Sequence, residues 1–185
     1  MFHNFGLAVL ALCFWAAIFA GGVYLMSTAS GHRVVDTALR QAGKEALNMR
    51  LAPYGADEAK AVWQVIAGTQ GGLQAERASL RLDLVFPLLY GGALAFLMLV
   101  MLFTVGAGSY SAAFLAPVLF AVIADWTENT IHLRQLARFE TAPDEVSAFM
   151  IRVASTATSA KLILVWLSLA LILLLPFIFR AGKGG

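Results

Sequence analysis

The sequence is poor in charged residues. Of its 185 residues only 13% are charged, 60% are hydrophobic, and the net charge is +2. An ordinary soluble domain carries about 25% charged residues, so this composition predicts a membrane protein whose first partner is the lipid bilayer. The Lys and Arg residues form no basic block with interleaved aromatics, which leaves a nucleic-acid partner without support.

Cysteine is nearly absent. The single Cys13 lies within the first apolar run, which rules out a disulfide within the chain and a metal site built from cysteines. Leu12 stands where lipoprotein processing needs a small residue. The apolar run from Phe5 to Met26 is 22 residues long, which exceeds a signal-peptide core, so we expect a retained membrane anchor.

Long apolar runs are what the sequence has in abundance. Four of them reach spanning length, at about residues 5–26, 84–105, 110–133 and 162–179. They predict an all-α fold: one integral membrane domain, residues 1–185, built as a four-helix bundle.

The connection between the first two runs, residues 27–83, is predicted to contain amphipathic helices. Apolar residues recur at helical spacing from Val35 to Met49, Pro53-Tyr54-Gly55 breaks the pattern, and a second run opens at Asp57. We expect residues 73–82 to continue into the second span as one helix. Thr141 is predicted to cap a helix that merges with the fourth span.

The distribution of basic residues predicts the orientation in the membrane. With four spans, eleven basic residues lie on the side of the two long connections, and only Arg180 and Lys183 lie on the side of the termini. The positive-inside tendency therefore favours cytoplasmic connections and termini on the outer side.

The stretch from residue 124 to 133 is unusually polar for a membrane segment. The third apolar run is uninterrupted only to Ala124, so the span must include this stretch to reach ~20 residues. Asp125, Glu128, Asn129 and His132 follow i, i+3, i+4, i+7 spacing and share one helix face. Ionisable groups at such depth indicate a functional site.

Three further residues are expected to approach this face. Because the spans alternate in direction, Asp83, Tyr90 and Lys161 reach the same end of the bundle. We predict a funnel that opens to one side, with Tyr90, Asp125 and Asn129 near its floor. The other members, Glu128, His132, Asp83 and Lys161, are expected at the level of the lipid headgroups. The alternative is that the interfacial charges merely extend into water by snorkelling.

Two short patterns carry a resemblance. The residues Asp83-Leu-Val-Phe86-Pro87-Leu-Leu-Tyr90-Gly91 and Asp125-Trp-Thr-Glu128-Asn129 resemble the D-x-x-F-P-x-x-Y-G and D-x-x-E-N signatures of small four-span bacterial membrane proteins of uncharacterised function. The resemblance covers about residues 80–161. It implies a four-span fold and a bacterial cytoplasmic (inner) membrane, and it implies no activity.

Two classes of function fit these residues best. The first is a non-catalytic module that binds an amphipathic small molecule or docks, as an accessory subunit or homo-oligomer, in a larger membrane complex. Its ligand-binding residues would be Asp83, Tyr90, Asn129 and Lys161. The second is a small membrane enzyme that acts on a lipid or amphiphile by acid–base chemistry, with Asp125, Glu128 and His132 as catalytic residues.

Other functions find less support. The di-metal pattern of four-helix bundles needs Glu-x-x-His pairs from two helices, and here one Glu and one His stand four residues apart. A haem would need a second axial ligand, for which only His32 is on the same side. Transport of protons or a solute would require an oligomer, since no inverted repeat is visible. The sequence assigns no metal ligands, and the identity of any cofactor stays unknown.

Overall fold

The computed structural model describes residues 2–28, 30–106 and 111–181, and every regular element within them is helical. This confirms the all-α fold class. In chain order the α-helices are α1 (Phe2–Thr28), α2 (Ser30–Gln41), α3 (Ala56–Ala67), α4 (Gly72–Leu82), α5 (Phe86–Val105), α6 (Ser111–Thr141) and α7 (Ala148–Ala181). Two 3₁₀ turns, Leu47–Met49 and Pro143–Glu145, stand in the connections.

Three helical stretches are long and apolar enough to cross a membrane, namely Gly72–Val105, Ala113–Thr141 and Ala148–Phe179. This supports a membrane protein with transmembrane helices. Within the described residues of α1, the apolar stretch Cys13–Leu25 is shorter.

The hairpin of α6 and α7 is the most extensive helix pair. The sequence predicts a helix start at Thr141, and this is wrong. Residue 141 ends α6, where its hydroxyl donates back to the Ala137 carbonyl at 3.2 Å. Helix α7 begins instead at Ala148, because Ser147 acts as its cap: the Ser147 hydroxyl accepts from the Met150 amide at 3.3 Å.

Helix α5 lies between α1 and α6 and approaches both through glycines. A Cβ atom at Gly91 would stand 2.4 Å from a methyl group of Val122 on α6. A Cβ atom at Gly92 would stand 2.8 Å from the Trp15 ring on α1. Small residues at these two positions let the helix backbones come close, as is common in membrane bundles.

The connection between α1 and α5 folds against the end of the α6–α7 hairpin. Its α2, α3 and α4 pack on one another, and α3 and α4 contact α6. The core formed there is centred on the buried Trp63 and Ile66 of α3 and Leu136 of α6. The predicted helical run through Met49 is broken at Gly43, whose φ of +63° favours glycine and ends α2.

The expected single helix from residue 73 into the second span is interrupted by a tight turn at residues 83–85, between α4 and α5. Pro87 lies in the first turn of α5. Proline is well tolerated there because the first-turn amides have no intrahelical partner, whereas inside a helix it would leave the preceding turn without a donor.

Candidate functional site

The turn before Pro87 exposes two backbone carbonyls that α6 then satisfies. Proline has no N–H, so residue 87 has no amide to donate to the Asp83 carbonyl four residues earlier. The side-chain amide of Asn129 donates to this carbonyl at 3.2 Å, and the Trp126 indole donates to the Leu84 carbonyl at 2.9 Å. The two sequence patterns therefore bind each other directly and fix α5 against α6.

Three charged side chains meet beside this contact and form what we call the charged triad: Asp125, Glu128 and Lys161. The Lys161 Nζ atom lies 2.7 Å from Glu128 Oε2 and 3.3 Å from Asp125 Oδ1. Asn129 also donates to Asp125 Oδ1 at 2.8 Å. All four side chains are buried, so the single ammonium group balances two carboxylates away from water.

Glu128 and His132 are more deeply buried than the sequence predicts. Their level relative to the lipid headgroups stays a prediction, but the alternative that they extend into water by snorkelling is wrong, since their exposed fractions are 0% and 2%. The reason is that the connection covers them: the Trp63 ring of α3 meets His132 edge-on, with 6.3 Å between the ring centroids. The Tyr54 hydroxyl lies 2.8 Å from His132 Nε2.

Tyr54 extends the buried network towards the connection. Burial raises the pKa of its hydroxyl above the ordinary value, which keeps the proton available for a hydrogen bond. Its backbone amide donates to Ser155 Oγ at 2.7 Å. From the short contact to Nε2 we assign Tyr54 as the donor, which leaves the ring proton of His132 on Nδ1. That atom faces Glu128 Oε1 at 4.0 Å.

A cavity of about 660 Å³ lies beside the triad and has two unlike ends. Asp83, Tyr90, Asp125 and Lys161 line its polar end. Its other walls are almost wholly apolar and come from α1, α5 and α7, among them Trp15, Phe19, Leu94, Leu97, Val165 and Leu169. Between Lys161 and Leu169 the helical rise of ~1.5 Å per residue gives the cavity a length of roughly 12 Å.

The sequence-predicted site residues thus fall into two groups. Asp83, Tyr90, Asp125 and Lys161 reach the cavity wall together. The other three predicted residues stand behind that wall. Asn129 binds Asp125 and the Asp83 carbonyl, Glu128 belongs to the charged triad, and His132 contacts Tyr54. The Tyr90 hydroxyl donates to the Ala121 carbonyl at 3.4 Å, a long bond that ties α5 to α6.

Sequence reasoning missed several residues of the site. His32 and Asn48 of the connection complete the polar end of the cavity. Burial lowers the pKa of His32, against an opposing effect of Asp36, and its Nδ1 atom contacts the Ser79 hydroxyl. The sequence places His32 on the same side of the membrane as the predicted site. No periodicity in the sequence indicates that α2 folds back over the cavity.

The described side chains do not form a recognisable metal-binding site. Among the residues that the structure describes, no group of three or more His, Cys, Asp or Glu side chains is arranged to hold a metal ion. Comparison with known proteins brings no further assignment, since no protein-family model, curated protein or solved structure matches the chain.

Proposed function

We propose that this chain is a multi-pass membrane protein that binds one amphiphilic molecule, without transforming it, in the cavity beside the charged triad. The observation that carries the proposal is the division of that cavity into a charged end and a long apolar remainder. Its volume of about 660 Å³ falls within the usual range for small-molecule sites. A polar head and a hydrocarbon tail would find matching surroundings in one place.

The bonding of the wall residues supports binding over catalysis. Lys161 is engaged by two carboxylates, and Asp125 is engaged by Lys161 and Asn129. Groups that hold one another in this way fix the shape of a site. A general acid or base must instead be free to exchange a proton with the substrate.

The proposed setting is a bacterial cytoplasmic membrane crossed four times, with α1 as the first span. Two observations support α1 in this role: its close packing on α5 at Gly92 and the contribution of Trp15 and Phe19 to the cavity wall. A helix that completes a lipid-like site from the apolar side belongs in the hydrocarbon layer. The connections would then face the cytoplasm.

A substitution that fills the apolar end of the cavity tests the proposal, because the bound molecule should then be lost. In Leu97→Trp an indole fills the cavity from α5, so we expect any amphiphile retained through purification to fall at least about tenfold in occupancy, as for overpacking of a filled site. Native mass spectrometry of the intact chain, followed by lipid extraction, measures occupancy.

Leu99→Trp is the matched control. It places the same side chain on the same helix at a position that is 45% exposed on the outer surface of the bundle. Occupancy should be unchanged there. Wild-type protein that retains no amphiphile, or equal retention by both variants, would contradict the proposal.

One observation favours the enzyme as the second candidate. A series of buried side chains leads from the segment between α1 and α5 to the cavity wall. In order it consists of Tyr54, His132, Glu128 and Lys161, with contacts of 2.8, 4.0 and 2.7 Å. It could supply a proton to a bound molecule if the 4.0 Å gap between His132 and Glu128, which no hydrogen bond spans, closed on binding. Chemical conversion of the extracted amphiphile by wild-type protein, and not by Asp125→Asn, would favour this candidate over simple binding.

A further inference from the structure

We infer that the head of the bound molecule carries a positively charged amine, held by the carboxylate of Asp83; the inference rests on the proposed function. It concerns the chemical class of the ligand, which the shape of the cavity alone leaves open. The charges that face the polar end, and the partners that each of them already has, identify this class.

Asp83 is the one acid of the cavity wall that no cation neutralises. Within residues 2–28, 30–106 and 111–181 no Lys, Arg or His nitrogen lies within 4.0 Å of its carboxylate, whereas Asp125 and Glu128 share Lys161. Asp83 is only 8% exposed and lines the cavity. A carboxyl group so far removed from water holds a proton unless a partner stabilises its charged form.

The neighbouring side chains supply no cation. Among the described residues of the cavity wall Lys161 is the only Lys or Arg, and its ammonium group is already in contact with two carboxylates. His32 is neutral near pH 7, because burial lowers its pKa below the ordinary value of 6.5. Asn48 and the Tyr90 hydroxyl are uncharged, so none of the described groups at the polar end is a cation free to receive an anionic head.

The lack of a free cation at the polar end selects among headgroups. A phosphate or carboxylate head would face Asp83 and Asp125 as like charges, with no free cation to receive it. An ammonium head would donate charge-assisted hydrogen bonds to Asp83. A divalent metal ion is disfavoured because the remaining walls are apolar and offer few of the several oxygen ligands it requires. An alkyl chain attached to the amine would occupy the apolar end beside Leu97 and Leu169.

The experiment compares three ligands that have the same alkyl chain and different headgroups. Full-length protein in detergent is titrated with dodecylamine, dodecanol or dodecyl phosphate, and bound ligand is counted by native mass spectrometry. We expect the amine to bind at least about tenfold more tightly than the phosphate, and Asp83→Asn to weaken the amine by about tenfold, the low end for a hydrogen bond to a charged group. Dodecanol binding should not respond to Asp83→Asn.

Asp57→Asn is the matched control, because the Asp57 side chain is 98% exposed on α3 and stands outside the cavity. The dodecanol measurement shows whether Asp83→Asn still folds with an intact cavity. Phosphate binding as tight as the amine, or amine binding unchanged in Asp83→Asn, would overturn the inference and leave the proposed function standing. Failure of all three ligands to bind, or binding unaffected by Leu97→Trp, would overturn the proposed function itself.

Discussion

At the scale of single residues, Lys161 determines whether two buried carboxylates are tolerated. Asp125 and Glu128 stand one helical turn apart on α6, and the ammonium group from α7 lies within 3.3 Å of one and 2.7 Å of the other. A buried ion pair adds little net stability, but the loss of one partner leaves an uncompensated charge. Neutralising the cation alone should therefore destabilise the protein more than neutralising the cation together with one of the carboxylates.

We expect Lys161→Met to destabilise the protein by roughly 3–5 kcal/mol, since it leaves two carboxylates without their cation. Adding Glu128→Gln should recover part of the loss, because one buried charge is then removed. The midpoint of thermal unfolding in detergent measures both effects.

Lys60→Met is the control for this prediction, since Lys60 pairs on α3 with an Asp57 that is 98% exposed and such pairs contribute about 1 kcal/mol or less. A Lys161→Met protein as stable as Lys60→Met would show that the triad is not held by its charge.

At the scale of elements, the α4–α5 turn depends on α6 for its hydrogen bonds. Pro87 withholds a donor from the Asp83 carbonyl, and Asn129 replaces it at 3.2 Å. The benefit of Asn129 should therefore depend on the residue at position 87. The contributions of position 87 on α5 and position 129 on α6 to stability should therefore be coupled.

We expect Asn129→Ala to cost ~1–3 kcal/mol, the usual penalty for leaving buried polar groups without a partner. In a Pro87→Ala background the new amide at residue 87 can donate to the Asp83 carbonyl, so the same substitution should cost about 1 kcal/mol less. A double-mutant cycle on unfolding midpoints gives the difference. Strict additivity would mean that the proline does not create the need for Asn129.

The elements themselves were largely readable from the sequence, and their interruptions were not. Apolar runs of spanning length predict helices such as α5 and α7 because length and hydropathy are properties of the run itself. The turn at residues 83–85 and the start of α7 at Ala148 depend on caps and on side chains from other helices. A one-dimensional pattern does not contain those partners.

The same distinction applies to the site. Helical spacing correctly places Asp125, Glu128, Asn129 and His132 on one face, all of them buried. It does not separate Asp125, which lines the cavity, from Glu128 and His132, which α3 and Tyr54 cover. That separation follows from how the connection folds over the hairpin, through contacts between residues far apart in the chain.

At the scale of the whole molecule, α1 packs on α5 and α2 and closes one side of the cavity. The three long apolar stretches alone would place the two ends of the chain on opposite sides of a membrane. Adding α1 as a fourth span returns them to the same side. The number of spans therefore has a direct readout in topology.

We expect a phosphatase reporter to be active outside the cytoplasm when fused to either end of the chain, because the four spans that we propose, with the positive-inside tendency, would place both termini there. A reporter inserted in the α2–α3 connection near Gly43 should be inactive. Activity at one terminus only would indicate three spans, and activity at Gly43 alone would reverse the orientation.

The charged triad also has a consequence for how the chain enters a membrane. Asp125 and Lys161 are separated by 36 residues, so during synthesis Asp125 and Glu128 of α6 leave the ribosome before Lys161 does. An acidic residue at the centre of a lone helix costs about 2.5–3.5 kcal/mol on insertion scales. We therefore expect α6 to be retained by the insertion machinery until α7 emerges, and the two helices to enter the lipid together as a neutralised hairpin.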